Sequence, residues 1–314
     1  MNVLVTGATG FVGRRIIELL TSSQQFTPIA AIRKESSQLS SRIQTVMIED
    51  LGPDNLWGNS LKDVQIVIHT AARVHIMNDS AKDPLSEFRK VNVEGTLNLA
   101  RQAAEAGVKR FIFLSSIKVN GESTPLNQPF TELDAPMPVD PYGISKLETE
   151  NGLFKLAEET GMEVVCIRPP LAYGPGVKAN FLSMMRWIKL GVPLPFGAIE
   201  NKRSFVALDN LVDLIKVCII HPDARNQIFL AGDGVDISTT DLLNSVAAAM
   251  NKKAWLLPFP QKLIEFCLHV LGKKELIQRL CGSLQVDISK ARKILDWKPP
   301  LTLEQGLHKT TQNI

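Results

Sequence analysis

A glycine-rich turn near the start of the chain constrains the fold more than any other feature of the sequence. The apolar run Val3–Val5 predicts a buried strand, and Val12, Ile16 and Leu19 have the spacing of one helix face. Between strand and helix, a glycine recurs at every third position. This order predicts a cradle for a pyrophosphate, because the first turn of a helix offers free N–H groups and a partial positive charge.

Each glycine of this turn has its own expected task. Gly7 allows a tight turn, Gly10 lets the backbone approach a pyrophosphate, and Gly13 lets the helix pack closely against the strand. The spacing is GxxGxxG rather than the commoner GxGxxG, and glycine turns also end strands for purely structural reasons. The strand and helix on either side favour the phosphate-binding interpretation.

Strands and helices alternate through the first half of the chain. After Val3–Val5, buried strands are predicted at Pro28–Ile32, Val46–Ile48, Ile66–His69, Phe111–Leu114 and Val164–Ile167. One helix is predicted from Asp83-Pro84 to Gly107, and another from about Tyr142 to Glu159. This order predicts an α/β fold, with a Rossmann-type doubly wound parallel sheet.

The second half of the chain is more irregular and predicts a smaller C-terminal α/β substrate domain. We expect residues 1–170 to form the dinucleotide-binding domain, with residues 204–232 returning to it. Residues 171–203 and 233–314 then form the substrate domain.

Two strands, a long loop and a helix are also predicted. Phe205–Val206 and Gln227–Leu230 are expected to be strands that return to the edge of the first domain. Pro125–Pro141 predicts a long loop, and long loops in compact domains are usually functional. Asp287–Trp297 predicts a capped amphipathic helix.

The composition argues against several classes of protein. A net charge of +3 over 314 residues is too small to indicate nucleic-acid binding. The four cysteines lie far apart without a CxxC pair, which argues against disulfides and a metal site and fits a reducing cytoplasm.

Targeting and membrane segments are not expected. A strand is predicted to begin within a few residues of Met1, so no signal peptide is expected. No apolar run approaches the ~18 residues of a membrane span. Leu263–Leu271 is therefore expected to be core or a partner surface, with no membrane insertion.

Tyr142 and Lys146 form the first candidate for chemistry, because the YxxxK spacing puts both side chains on one helix face. A neighbouring ammonium favours the phenolate, and lowering the phenol pKa from ~10 to about 7 takes roughly 4 kcal/mol. The result is an acid/base for a sugar hydroxyl or carbonyl. YxxxK also occurs in surface pairs, but Ser115-Ser116 follows a predicted strand and offers a hydroxyl for the same substrate oxygen.

Together, the glycine pattern, Ser115-Ser116 and YxxxK resemble the extended short-chain dehydrogenase/reductase family, of the NAD-dependent epimerase/dehydratase type. The resemblance extends through the KARKILDW segment of the tail. It implies a Rossmann domain, a smaller substrate domain and an enzyme that acts on a nucleotide-linked sugar, which is expected to be UDP-linked. It also implies a homodimer that is formed through the Asp83–Ala106 and Tyr142–Glu159 helices.

The resemblance implies roles for individual residues. Ser116 would hydrogen-bond the reacting oxygen, Tyr142 would be the acid/base, and Lys146 would bind the nicotinamide ribose. Asn92 would have a structural role. The expected cofactor contacts are Gly7, Gly10, Phe11, Val12, Arg33, Lys34, Asp50, Leu51, Ala71, Ala72, Arg73, Ser115, Tyr142, Lys146 and Pro169. The expected substrate contacts are Ser116, Lys118, Asn180, Arg203 and Arg279.

Two positions depart from the family pattern. The dehydratases of the family carry an Asp-Glu pair where this chain has Ile117-Lys118, so elimination of water from the sugar is not expected. Asn120 stands where many members have tyrosine, and it is expected to reshape the substrate pocket.

The end of the second predicted strand bears on the cofactor and the reaction. An NAD enzyme usually has an acidic residue there, whereas this chain has Arg33-Lys34, so NADP(H) is expected, with NAD(H) as the alternative. Because reductive biosynthesis commonly uses NADPH, the main expectation is reduction of a UDP-4-keto-6-deoxy sugar for surface polysaccharide biosynthesis. The alternatives are a 4-epimerase of UDP-glucose or UDP-N-acetylglucosamine and a non-catalytic NADP(H)-binding sensor. Such sensors typically lose the tyrosine or the lysine, and this chain has both.

Overall fold

The computed structural model describes residues 1–37, 39–74 and 83–312. The ten strands of these residues are β1 (Asn2–Thr6), β2 (Thr27–Ile32), β3 (Gln44–Met47), β4 (Ile66–His69), β5 (Arg110–Leu114), β6 (Glu163–Arg168), β7 (Leu171–Tyr173), β8 (Arg203–Ala207), β9 (Gln227–Leu230) and β10 (Asp236–Ile237). The α-helices are α1 (Phe11–Thr21), α2 (Pro84–Phe88), α3 (Thr96–Glu105), α4 (Pro141–Thr160), α5 (Ala179–Leu190), α6 (Leu208–Ile220), α7 (Thr239–Ala249), α8 (Gln261–Val270), α9 (Lys274–Cys281), α10 (Ser289–Leu295) and α11 (Leu303–Thr311).

Seven strands form one parallel sheet in the order β3-β2-β1-β4-β5-β6-β9. Its central strands are apolar on both faces because helices cover both. One face packs against α1, α6 and α10, and the other packs against α3 and α4. The predicted α/β, Rossmann-type fold is confirmed. The carboxyl ends of β1, β4, β5 and β6 lie side by side along one edge, where parallel sheets of this kind bind ligands.

A second lobe is built on a three-stranded sheet of order β10-β8-β7. Its own core includes Tyr173, Phe181, Phe205 and Leu243. The expectation for Gln227–Leu230 is confirmed, since β9 pairs with β6 at the edge of the large sheet. The expectation for Phe205–Val206 was wrong, because β8 pairs with β7 and β10 instead. The domain limits given above stay a prediction.

The helices agree with the sequence in type and differ in detail. Asp83 caps α2 by accepting a hydrogen bond from the Ser86 backbone N–H, and Pro84 is the first helical residue, as predicted. The helix then continues through a π-helical segment, Arg89–Gly95, before α3 begins. The predicted tail helix is present as α10 but is shorter, and the prediction that it is capped was wrong, because Ile288 is its N-cap residue and makes no side-chain cap. Helix α11 follows it without having been predicted. Among the described residues, no helix is both long enough and apolar enough to cross a bilayer.

Candidate active site

The glycine turn has the geometry that its sequence predicts. Gly7 has φ +67°, and its O accepts a hydrogen bond of 2.8 Å from the Gly10 N–H. A Cβ at Gly7 would lie 2.7 Å from Thr70 Oγ1, and a Cβ at Gly13 would lie 2.2 Å from Gly7 O. Any side chain at these two positions would therefore separate α1 from the ends of β1 and β4.

The start of α1 fits a dinucleotide phosphate. Gly10 is the N-cap residue, and no described side chain caps the helix, so the amides of the first turn, which includes Phe11 and Val12, are available to an anion. The absence of a Cβ at Gly10 leaves the backbone accessible at the same point. These residues would hold the pyrophosphate of a nicotinamide dinucleotide.

The ends of β2 and β3 carry the residues that were expected near the adenosine. Arg33 and Lys34 follow β2 directly, and both are exposed. Asp50 and Leu51 follow β3, and Asp50 accepts a hydrogen bond of 2.7 Å from the Gly52 N–H, which holds the loop. All four residues lie at the ends of neighbouring strands, and their contacts with the adenosine stay a prediction.

The loop after β4 is fastened by Asn92. The Asn92 side chain accepts a hydrogen bond from the Arg73 N–H at 2.8 Å and donates to Arg73 O at 3.0 Å and to Ser145 Oγ at 3.0 Å. Ala71 and Ala72 lie just before this clamp. Asn92 thus joins the loop to α4, which agrees with its expected structural role.

Tyr142 and Lys146 both lie in the first turns of α4. Asp140 caps this helix by accepting a 2.7 Å hydrogen bond from the Gly143 N–H, and Pro141 is the first helical residue. Lys146 Nζ donates to Leu114 O at 2.8 Å and lies 4.3 Å from the centroid of the Phe113 ring. The same Nζ is 5.7 Å from the centroid of the Tyr142 ring.

The electrostatics of this pair differ from the sequence expectation. Burial raises the pKa of Tyr142, and the Asp140 carboxylate raises it further. Burial also lowers the pKa of Lys146 to about 7, although the Glu150 carboxylate opposes this. The expectation that the neighbouring ammonium lowers the phenol pKa was wrong for this arrangement, because desolvation dominates and Lys146 Nζ is hydrogen-bonded to Leu114 O.

The two serines after β5 have different surroundings. Ser115 is buried and donates a hydrogen bond to the Glu150 carboxylate. Ser116 is half-buried, and its Oγ accepts a hydrogen bond of 3.2 Å from the Lys118 N–H. Ser116 therefore keeps its hydroxyl proton for another acceptor, whereas Ser115 is tied to the protein interior. Pro169, after β6, supports the turn by accepting a 3.0 Å bond from the Ile117 N–H.

A buried ion pair lies directly behind these serines, and the sequence analysis missed it. Arg168 and Glu150 form a two-pronged contact, with Nε to Oε1 at 3.0 Å and the second guanidinium nitrogen to Oε2 at 2.5 Å. Both side chains are nearly inaccessible, at 2% and 1% exposure. Arg168 also donates to Asn120 Oδ1 at 2.9 Å, and Asn120 donates to Thr131 O at 2.8 Å.

This network corrects the interpretation of Asn120. Its side chain is buried and completes the hydrogen bonds of Arg168, so it fastens the loop at Thr131 rather than lining an open pocket. One signal for the ion pair was available in the sequence. Glu150 is four residues after Lys146 and eight after Tyr142, so it shares their helix face, where an unpaired carboxylate would be unfavourable.

A buried histidine under the sheet edge was also missed. His69 Nδ1 lies 2.8 Å from Thr6 Oγ1, and His69 Nε2 lies 3.0 Å from Thr96 Oγ1. Burial lowers the pKa of His69 to about 3, and the Lys146 ammonium lowers it too. The ring stays neutral and supports the neighbouring Phe113, with which it stacks at 6.1 Å.

The predicted substrate contacts lie on different elements of the fold, and Gln278 links two of them, because its Nε2 donates to Glu122 O at 3.1 Å. Lys118 pairs with Asp140 and, at 3.3 Å, with Glu122, so its ammonium links the turn after β5 to the start of α4. Arg203 begins β8 and donates to Gln278 O at 3.1 Å and to Gly282 O at 3.0 Å. The side chain of Asn180 lies outside the described residues.

Arg203 and Arg279 lie close enough to repel each other. Burial lowers the pKa of Arg203, and the nearby charge of Arg279 lowers it further. A diphosphate would relieve this repulsion, since arginine binds phosphate oxygens with two parallel hydrogen bonds. The pair therefore fits a diphosphate at the second lobe.

Comparison with known proteins agrees with this geometry. The sequence model described as the NAD dependent epimerase/dehydratase family matches residues 3–232. A UDP-glucose 4-epimerase of Vibrio cholerae is 46% identical over 312 residues, which cover 99% of this chain and 94% of that protein. An N-acetyl-alpha-D-glucosaminyl-diphospho-ditrans,octacis-undecaprenol 4-epimerase of Escherichia coli O157:H7 is 29% identical over 326 residues, which cover 99% and 94%.

The fold also agrees with solved structures. A UDP-glucuronic acid 4-epimerase of Bacillus cereus, in complex with UDP-glucuronic acid and NAD, superposes with a TM-score of 0.79 and 21% identity. The superposition covers 99% of this chain and 98% of the other. At this identity the likeness concerns the fold, whereas the family match and the relative from Vibrio cholerae concern the sequence itself. The chain therefore belongs to the NAD dependent epimerase/dehydratase family of extended short-chain dehydrogenase/reductase enzymes.

Proposed function

We propose that this protein is a 4-epimerase of a UDP-linked sugar. The observation that carries the proposal is the 46% identity over 99% of the chain to a UDP-glucose 4-epimerase. The site supports it, because Ser116, Tyr142 and Lys146 lie at the sheet edge beside a glycine turn that fits a dinucleotide. The same three residues argue against the non-catalytic sensor.

The chain's own residues handle the proton of the sugar hydroxyl. Tyr142 accepts the proton of the 4-hydroxyl group and later returns it, while Ser116 Oγ donates a hydrogen bond to the same oxygen. Lys146 would bind the nicotinamide ribose from its position 5.7 Å from the centroid of the phenol ring. An oxidised nicotinamide bound in the glycine-turn site would supply the hydride-accepting and hydride-donating chemistry that inversion at C4 needs. Arg203 and Arg279 hold the diphosphate of the UDP group.

Reduction of a 4-keto sugar was the main expectation from Arg33 and Lys34, and the relatives support epimerisation more strongly. The charge at the end of β2 does not decide between them. It acts on the 2′-phosphate of the adenosine, whereas the nicotinamide ring that exchanges the hydride is the same in NAD and NADP. We further propose a cytoplasmic homodimer that pairs through α3 and α4.

The deciding experiment is incubation of the purified protein with UDP-glucose, and separately with UDP-N-acetylglucosamine, without added reductant. The expected product is the C4 epimer of at least one of them, separated by anion-exchange chromatography. A parallel incubation uses a UDP-4-keto-6-deoxy sugar and NADPH. Consumption of NADPH there, together with no epimer in the first two incubations, would replace the epimerase by the reductase.

Arg203→Ala is expected to raise KM for the UDP-sugar about 10- to 100-fold, with a much smaller effect on kcat. The change removes a charge-assisted contact of ~1.5–3 kcal/mol that is made equally in the ground and transition states. Lys202→Ala is the matched control, since the neighbouring Lys202 is exposed and donates to Asn127 Oδ1. A fall in kcat with an unchanged KM would contradict a binding role for Arg203.

NADP(H) is expected to bind more tightly than NAD(H), by roughly 10- to 100-fold, because Arg33 and Lys34 can pair with the 2′-phosphate. Arg33→Ala should remove most of this difference by weakening NADP(H) alone. Calorimetric titration of both cofactors into the wild type and the variant measures it. Equal affinities of the wild type for NAD(H) and NADP(H) would mean that Arg33 contacts only atoms that are present in both cofactors and does not contact the 2′-phosphate.

A further inference from the structure

Helix α8 presents apolar side chains on two faces. Ile264 and Leu268 face inwards and pack in a small core with Ile199 and Cys281. A second apolar stripe has the i, i+3, i+4, i+7 spacing of a core-facing helix side and is formed by Leu263, Phe266, Cys267 and Val270. This stripe is exposed: Phe266 is 64% accessible and Val270 is 68% accessible.

The exposed stripe continues beyond both ends of the helix. Phe259 precedes α8 at 43% exposure, and Leu271 follows it at 68%. We define the α8 face as Phe259, Leu263, Phe266, Cys267, Val270 and Leu271. Single exposed apolar side chains are ordinary, but a continuous set of this kind marks an interaction surface.

Positive charge is concentrated in the same segment. Residues 252–275 contain five lysines and two glutamates, an excess of three positive charges, which equals the net charge of the whole chain. One of these glutamates, Glu265, accepts a hydrogen bond of 2.7 Å from Gln261. Lys262 lies on the polar side of α8 and Lys273 follows the helix, both exposed, whereas Lys252 donates to Lys189 O near the end of α5. The surface is therefore an apolar centre with one cation on its helix and another just after its C-terminal end.

This combination fits the surface of an anionic lipid bilayer. Helices that lie in the plane of such an interface carry aromatic and aliphatic side chains on one face and lysines on the other. The lysines meet lipid phosphates, and the apolar side chains enter the headgroup layer. A symmetric contact with a second copy fits less well, because it would bring the same lysines against each other. The dimer proposed above also uses other helices, α3 and α4.

We propose that the α8 face docks the protein on an anionic membrane surface, with α8 lying along the interface and without spanning the bilayer. Helix α8 packs against α9, which carries Arg279 and the Gln278 carbonyl that accepts a bond from Arg203. Docking through this face therefore holds the proposed diphosphate site one helix away from the headgroup layer. The docking does not depend on which reaction the enzyme performs.

Vesicle flotation tests the proposal on the full-length protein. One set of vesicles contains phosphatidylcholine alone, and the other contains equal parts of phosphatidylcholine and phosphatidylglycerol. The wild type is expected to float with the anionic set and not with the neutral set. Phe266→Ser/Val270→Ser and Lys262→Glu/Lys273→Glu should each lower the bound fraction about tenfold or more. All four residues are exposed, so the melting temperature and the turnover of soluble substrate should not change.

Leu56→Ser/Ile220→Ser is the matched control, because it removes exposed apolar side chains from the other lobe and should leave flotation unchanged. Failure of the wild type to bind anionic vesicles at low salt would overturn the proposal, as would equal binding by all the variants. Sedimentation velocity without lipid tests the alternative that a second copy of the chain binds the α8 face. If Phe266→Ser/Val270→Ser changes the oligomeric state and not flotation, the α8 face is an interface between copies and the proposal fails.

Discussion

Replacement of Tyr142 by phenylalanine is expected to lower turnover at least about a hundredfold while the fold stays intact. The change removes one oxygen, and general acid–base catalysis by a positioned group typically contributes ~10²–10⁴-fold. The ring keeps its edge-on contact with Phe88, at 6.1 Å between centroids, because that contact does not use the hydroxyl. The measurement is kcat for the UDP-sugar, together with the melting temperature.

Tyr173→Phe provides the matched control, since Tyr173 is the other tyrosine of the chain. Its hydroxyl donates to Asp233 Oδ2 at 2.8 Å inside the core of the second lobe, and its ring stacks on Phe181 at 5.5 Å. Loss of this hydroxyl should lower the free energy of unfolding by ~1–2 kcal/mol and leave kcat close to the wild-type value. If Tyr142→Phe retains more than about a tenth of the turnover, Tyr142 is not the acid/base.

The surroundings of Tyr142 suggest how its proton is controlled. Burial and the Asp140 carboxylate raise the pKa of the phenol and so keep the proton on the oxygen. Lys146 Nζ lies 5.7 Å from the centroid of the Tyr142 ring, and the pKa of Lys146 is lowered to about 7. An oxidised nicotinamide carries a further positive charge, which favours the phenolate. We therefore expect the phenolate of Tyr142 to form more readily with the oxidised cofactor bound than without it.

The sequence predicted the features of this molecule that depend on neighbouring residues. The glycine turn, the Asp83-Pro84 helix start and the spacing of Tyr142 and Lys146 are local patterns, and each is present. It did not predict that β8 joins the second sheet, because strand pairing there joins residues far apart in the chain. The sequence also did not predict that the pKa of Tyr142 is raised, for a related reason. Burial depends on the whole fold, whereas the spacing of Lys146 is visible in the sequence.

The buried pair of Glu150 and Arg168 leads to the second large expected effect. Arg168→Met should lower the free energy of unfolding by ~3–5 kcal/mol, because it leaves the Glu150 carboxylate buried without its cation. Ser115 still donates one hydrogen bond to that carboxylate, but a single neutral donor does not replace the guanidinium. Chemical denaturation at neutral pH measures the loss.

The surface pair of Arg89 and Glu148 is the matched control, because it has the same two-pronged geometry. Its glutamate lies on α4, as Glu150 does. Its Nε lies 2.9 Å from Oε2 and its second nitrogen 2.5 Å from Oε1, but the Arg89 side chain is 47% exposed. In the single chain water replaces a lost partner there, so Arg89→Met should leave the unfolding midpoint of the monomer nearly unchanged. Similar losses from Arg89→Met and Arg168→Met would mean that burial does not set the strength of the inner pair.

A double variant separates the unpaired charge from the lost contacts. Glu150→Leu/Arg168→Met removes both charges, so it should be more stable than Arg168→Met alone by at least ~1–2 kcal/mol, despite one further substitution in the core. If the double variant is instead less stable than the single one, the hydrogen bonds to Ser115 and Asn120 matter more than the charge on Glu150. The ion pair would then be one part of a polar network that fastens the Ser115-Ser116 turn to α4.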